Sequence, residues 1–398
     1  MDWKSFGNEE LGELKAIVES GEVWRGTGGH YVGAFEDAFG AHVGRKYVHA
    51  VSSGTAANEA ALAGVGIGPG DEVIVTPCSF IASSIAPVGL GAVPVFADVD
   101  PQTMIMTAET IAAVITPRAK AVVVVHLWGQ AAEMDPILEV ARKHNLAVVE
   151  DCAQAYDVFY KGKPVGTLGD VACYSLQQSK HITSGEGGIV TSNAPEVYQR
   201  AVLYSNCGMP WYRYGSPWPA AEPVGDVPTR GHFAFGHNNR MSELQGAVAL
   251  VQLGKIGRFN ARRREIVAAI ESELADVPIV ALAHVYPDTQ PNYWSYPLWA
   301  VGRSAEELRQ LCQEKAGVSL GRYSEVNYLE VVYQEMEATR RTSVGYPLPD
   351  YVHYRPGICP EAEAAALRVI PIHTHHSIDP EAMRQTARGI RNALTATG

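Results

Sequence analysis

Leu146-Ala-Val-Val-Glu-Asp-Cys-Ala-Gln154 is a short apolar run that ends abruptly in two acids. Four or five apolar residues bounded by polar ones suit a strand buried on both faces, and that reading sets Asp151 at the strand's tip. Outward from this run the pattern repeats. Val73–Thr76, Val93–Ala97, Ala121–His126, Ala147–Asp151, Ala172–Ser175 and Gly188–Thr191 read as short buried strands. Helical periodicity near 55–63, 80–89, 107–115 and 133–144 falls between several of them. Alternating strands and helices predict an α/β fold, a mostly parallel central sheet sandwiched by helices, with ligands at the carboxyl ends of the strands.

At 398 residues the chain exceeds what one hydrophobic core usually holds, so two domains are expected, 1–250 and 251–398. A helix at 8–20 (Leu11, Leu14, Ile17, Val18), a link through Gly26, Gly28 and Gly29, and a second helix at Val32–Phe39 form an entry arm to the larger one. Pro210, Trp211, Tyr212, Tyr214, Pro217, Trp218 and Pro219 mark 209–230 as a long ordered loop that would roof a pocket. A helix over Ser242–Ala275 then leads into the smaller α/β domain, with a strand at Trp294–Val301 and helices near Ala305–Lys315 and Pro380–Leu394.

Hydrophobic residues make up 46% of the chain and charged ones 19%, with a net charge of −11, which suits an acidic enzyme and argues against a nucleic-acid partner. The first residues carry no basic and apolar leader, and no apolar run spans a bilayer, so a cytoplasmic location without membrane contact is expected. Six scattered cysteines lack CxxC pairs and read as reduced, packed thiols.

The chemistry lies between two segments. Twenty-nine residues after Asp151 comes Lys180, in Ser175-Leu-Gln-Gln-Ser-Lys-His-Ile-Thr-Ser-Gly-Glu-Gly-Gly188. Alone, a lysine reads as a solvated surface residue and Asp151 as a cap or turn acid. Together they are the pair that pyridoxal 5′-phosphate (PLP) requires: an amine for a Schiff base and a carboxylate for the ring nitrogen. Ser53-Gly54-Thr55 opens a helix whose amides suit a phosphate, although the same residues make an ordinary cap. Ser175 offers a hydroxyl to that cup. Gln154 suits the cofactor's phenolic oxygen or a hold on its ring, and Phe80, after the strand ending at Thr76, suits a stacking face; taken singly they read as a loop amide and a core aromatic.

In order along the chain, Ser53-Gly-Thr55, Asp71-Glu-Val-Ile-Val75, Pro94 to Asp100, Val125 to Gln130, Glu150 to Gln154, Gly169-Asp170, Ser175 to Lys180, Gly185 to Gly188 and Asn238 to Glu243 resemble the DegT/DnrJ/StrS family of fold-type-I, PLP-dependent aminotransferases. The resemblance covers nearly the whole chain. It implies that Lys180 is the Schiff-base lysine, Asp151 the pyridinium partner, Gln154 the ring-oxygen contact and Phe80 the stacking aromatic. It further implies that Gly54, Thr55 and Ser175 hold the phosphate. Asn238 would reach the neighbouring subunit's phosphate, which implies a homodimer with shared sites. The amino group would come from L-glutamine or L-glutamate, with pyridoxamine phosphate between the half-reactions.

The Gln177-Gln178 pair before Lys180 and the tract His373-Thr-His375-His376 look more like the keto-cyclitol branch of aminoglycoside pathways than the branch that aminates nucleotide-linked keto-sugars. Departures from the family are Tyr156-Asp157 for a small pair, Asn239 for an aromatic, and the composition of 209–230; they bear on the acceptor, not the cofactor. A pyridoxamine-dependent sugar dehydratase resembles the same family but carries histidine at the position of Lys180. A non-catalytic protein of this fold is the remaining rival.

Two motifs mislead. Gly64-Val-Gly-Ile-Gly-Pro-Gly70 gives no GxGxxG register and precedes a strand, so no dinucleotide site is expected. The histidine tract follows the apolar Val369-Ile-Pro-Ile372, which favours packed or substrate-facing histidines over a metal site.

Overall fold

A computed structural model describes residues 5–25, 30–210, 213, 231–323 and 326–395. Most of the expected 209–230 loop, and the glycine link at 26–29, lie outside the described residues.

The strands, in chain order, are β1 (Tyr47–Val51), β2 (Glu72–Val75), β3 (Val93–Phe96), β4 (Ala119–Val125), β5 (Ala147–Asp151), β6 (Phe159–Tyr160), β7 (Lys163–Pro164), β8 (Val171–Ser175), β9 (Gly188–Ser192), β10 (Val280–Ala281), β11 (Thr289–Gln290), β12 (Ser295–Ala300) and β13 (Val369–His373). Seven of them form one sheet in the order β1-β9-β8-β5-β4-β2-β3. The run β8-β5-β4-β2-β3 is parallel, and β9 runs antiparallel to both β8 and β1. Valine-rich strands fill the middle because helices cover both faces; Val122, Val123, Val124, Val148 and Val149 are all buried. Pro94, which has no amide to donate, falls in β3 at the sheet's edge.

The helix Glu243–Leu274 starts at Ser242, whose hydroxyl accepts the Gln245 amide while Gln245 accepts the Ser242 amide. The helix leaves the first core through Leu253, Ile256 and Phe259 and enters a second through Ile266, Ile270 and Leu274. There it packs with β10-β12-β13 and the helices Ala305–Ala316 and Pro380–Thr395. Position 250 thus falls inside a continuous helix. The expected strands and helices of both halves appear within a few residues of their predicted limits. Sequence reading missed β1, the two-residue strands β6, β7, β10 and β11, and the helices Pro195–Ser205, Val331–Thr339 and Pro360–Ala366. The last two return to the first core, where Tyr328, Tyr333 and Tyr354 set their rings edge-on around Phe96 at 5.2–5.8 Å. No helix among the described residues is long and apolar enough to cross a membrane.

Glu150, one residue before the tip of β5, is completely buried and serves the fold. Its carboxylate accepts the amides of Gly166, Leu168 and Gly169 at 2.6–2.8 Å and faces His126 Nε2 at 3.1 Å. Burial alone would raise its pKa, but His126 and those amides bring it below the ordinary carboxylate value. Glu150→Ala leaves the fully buried His126 Nε2 and three amides, that of Gly166 buried and two part-buried, without their acceptor, so we expect a stability loss of about 3–5 kcal/mol, read from the denaturant midpoint.

Candidate active site

The carboxyl ends of β5 and β8 and the start of one helix converge on a cavity of about 620 Å³. Asp151 lies at the tip of β5 and is 3% exposed. Its Oδ2 accepts Ser83 Oγ at 2.7 Å and Asn58 Nδ2 at 3.1 Å, and its Oδ1 accepts the Ala153 amide at 3.0 Å. Three donors on one carboxylate fix its direction and leave it unable to turn away from the cavity floor.

Lys180 comes from the loop after β8. Its own amide donates to Gln177 O at 2.9 Å, and Gln177 Oε1 accepts both the amide and hydroxyl of Ser179, at 2.8 and 2.7 Å. The Gln177 side chain therefore closes the turn that aims Lys180 inward. Its Nζ stands 4.4 Å from the centre of the Trp294 ring, whose indole N–H donates to Ser179 O at 2.7 Å. Burial lowers the Lys180 pKa to about 8, against the raising effect of Asp151's negative charge. Only the neutral amine attacks an aldehyde, so PLP uptake by the cofactor-free protein should speed up as pH rises through about 8 and level off above it; stopped-flow absorbance would test this. Stability follows the same sign. The unfolded chain binds this proton more tightly, so the penalty for burying Lys180 is full below pH about 8 and fades as pH climbs toward 10.5.

The helix Gly54–Gly64 begins at the cavity wall, with Ser53 Oγ accepting the Ala56 amide at 3.1 Å. The first-turn amides of Gly54 and Thr55 have no intrahelical partner, which makes this end an anion site. Two glycines permit the approach. A Cβ on Gly54 would lie 2.7 Å from Ser175 Cβ, and one on Gly188 would lie 2.1 Å from Ser53 O. Ser175 is 6% exposed and lines the same wall. Gln154 Oε1 accepts the Trp128 amide at 2.9 Å, which leaves its NH₂ group for a ligand, and Trp128 adopts the left-handed φ of 63° that this contact accompanies. Phe80 is 69% exposed on the cavity wall, a flat apolar face in search of a partner.

Lys180, Asp151, Gly54, Thr55, Phe80, Gln154 and Ser175 thus share one cavity. Asn238 does not line it: it lies exposed and pairs with Asn206 in an isolated bridge. The donor set fits PLP, with amides for the phosphate, a buried carboxylate for the ring nitrogen, an amide NH₂ for the phenolic oxygen and an amine for the aldehyde. Sequence reading missed Asn58 and Ser83, the Asp151 holders, and Trp294. Asn58 had a signal, since it lies one helical turn beyond Gly54; Trp294 comes from the distant second half and had none. Arg263, fully buried without a carboxylate partner among the described residues, donates to the carbonyls of Trp294, Thr374 and Lys180 at 3.3–3.5 Å and ties those segments together. Of the histidine tract, His373 lines the cavity, while His376 stacks on Phe259 at 3.7 Å. The buried trio His126, Glu150 and Cys152 has metal-like spacing, but Glu150 already accepts three amides and burial pushes the Cys152 thiol well up, away from the thiolate a metal needs.

Residues 4–391 match the DegT/DnrJ/EryC1/StrS aminotransferase family. The chain is 40% identical to GDP-perosamine synthase of Caulobacter vibrioides over 276 residues, 69% of this chain and 70% of that enzyme. It is also 40% identical to the L-glutamine:2-deoxy-scyllo-inosose aminotransferase of Streptomyces kanamyceticus over 247 residues, 62% of this chain and 56% of that enzyme. Among solved structures it resembles an aminotransferase from Psychrobacter cryohalolentis with a TM-score of 0.85 at 30% identity, covering 100% of this chain and 98% of that one.

Proposed function

The chain belongs to the DegT/DnrJ/EryC1/StrS aminotransferase family, whose members use PLP, and from that premise we propose that it moves an amino group from L-glutamine or L-glutamate to the ketone of a keto-cyclitol. Bound PLP supplies the aldehyde that captures the donor amine and a ring that spreads the negative charge developed when Cα loses its proton.

The chain's own groups do the rest. Lys180 Nζ, neutral above pH about 8, captures the cofactor and then moves the proton to and from the reacting carbon. Asp151 holds a proton on the ring nitrogen, and Asn58 and Ser83 keep its carboxylate aimed there. Gly54, Thr55 and Ser175 anchor the phosphate, Gln154 the phenolic oxygen, and Phe80 covers a ring face. Asn238, exposed on its own chain, serves the site of a second copy, so the working unit is a homodimer acting in the cytoplasm.

The observation that carries the acceptor is the set of neutral hydrogen-bonding side chains that line the cavity with Lys180. Ser79, Gln177, Ser179 and Ser295 line the cavity together with His373 and suit the hydroxyls of a cyclic polyol. The S. kanamyceticus relative, named for a cyclitol ketone and for glutamine, supports the same choice. A second reading, a nucleotide-linked keto-sugar as acceptor, is favoured by the longer match to GDP-perosamine synthase. To decide, holoprotein is converted with L-glutamine, freed of donor and mixed with a keto-inositol or with a GDP-linked keto-sugar. The keto-inositol alone should restore the starting visible absorption; restoration only by the nucleotide-linked ketone makes the second reading correct.

A further inference from the structure

We infer that Arg322 is the clamp for the α-carboxylate of the amino donor. The inference rests on the aminotransferase reading, not on the choice of acceptor. Whatever amino acid donates, its α-carboxylate must enter the cavity with the amine, and a carboxylate leaving water needs a charged hydrogen-bond partner.

Among the described residues that line the cavity, the basic side chains other than histidine are Lys180 and Arg322. Lys180 is the reacting amine, which leaves the guanidinium. Arg322 stands on a held segment, although its side chain is 71% exposed. On one side Gly321 packs so tightly on β13 that a Cβ there would lie 2.2 Å from Pro371 O. On the other, Tyr323 packs its ring on Trp128 at 5.5 Å.

The guanidinium itself is oriented from outside the cavity. Glu306, in the first turn of the helix Ala305–Ala316, accepts Arg322 Nη2 at 2.9 Å and Arg309 Nη2 at 2.9 Å. That bond occupies one corner of the planar fork and leaves a second edge, with its parallel N–H groups, for a bidentate carboxylate. Sequence reading gave no hint of this residue, because its value comes from β13 and Trp128, which bring 320–323 to a cavity most of whose lining lies far away in sequence.

The test compares two donors in the first half-reaction, L-glutamine and 4-aminobutanamide, which is glutamine without its α-carboxylate. In Arg322→Met the kcat/KM for L-glutamine should fall roughly 10–100-fold while that for 4-aminobutanamide stays within about twofold, and Arg322→Lys should recover part of the loss. Equal losses with both amines would mean a purely structural role and overturn the proposal. So would a normal first half-reaction with the defect confined to the keto acceptor, or a wild-type enzyme that does not discriminate between the two amines. A wild-type holoprotein inert to every amino acid would instead sink the aminotransferase reading, and the clamp with it.

Discussion

Lys180→Ala protein, supplied with PLP, is expected to lose at least about 1,000-fold in the rate of amine transfer from L-glutamine. It should also release all its cofactor on dialysis after borohydride treatment, whereas the wild type keeps it covalently. The size of the effect follows from two losses. Nζ is the only amine that lines the cavity among the described residues, so no neighbour can replace it as the covalent anchor. On the proposed reading it is also the group that moves the proton, and a pKa lowered to about 8 suits a general base near that pH. The fold should survive, because removing a buried amine also removes a desolvation cost; unchanged far-ultraviolet circular dichroism would show this. A Lys180→Ala chain that still transfers amine at more than about a tenth of the wild-type rate would end the assignment.

Those two groups, Lys180 and its partner Asp151, were legible in the sequence for a physical reason. Strand β5 is a near-continuous apolar run, and the polar residue at its end must sit at the sheet's carboxyl edge, so Asp151 was placed by pattern alone. Lys180 followed because a strand ending near Ser175 and the glycine-rich turn Gly185–Gly188 bracket it, and Gly188 proves to be the residue that lets β9 pass against Ser53 O. Local signals of this kind also placed Gly54 and Thr55 at a helix start. What stayed hidden depends on chain segments far apart in sequence. Ser83 holds Asp151 across 68 residues, and Trp294 faces Lys180 from the position just before β12. β1 was missed because Tyr47-Val-His-Ala-Val51 mixes aromatic, imidazole and small residues, and only its pairing with β9 makes it a strand. The segment 326–366 reads as part of the second half by position, yet Tyr328, Tyr333 and Tyr354 pack around Phe96 in the first core, a choice made by tertiary packing.

Asp151→Asn should lower kcat by roughly 100- to 1,000-fold, the range seen when one preorganised electrostatic group, such as an oxyanion-hole donor, is removed from an active site. The substitution keeps the shape and discards the charge, so on the proposed reading the ring nitrogen would lose the partner that keeps it protonated. Hydrogen bonding alone cannot compensate. If the new amide offers its oxygen to Asn58 and Ser83, its NH₂ meets the Ala153 amide, donor against donor, and about 1–3 kcal/mol of stability goes with that mismatch. A second readout separates charge from misfolding. Asp151's charge raises the Lys180 pKa, so its removal should move the midpoint of pH-dependent PLP uptake below about 8, in the direction of more neutral amine. The variant would therefore take up cofactor faster than the wild type at neutral pH and yet turn over far more slowly. That opposition is hard to obtain from a damaged fold, which would slow both. A midpoint that rises, or a kcat within about tenfold of the wild type, would show that the carboxylate at the tip of β5 does not face the ring nitrogen.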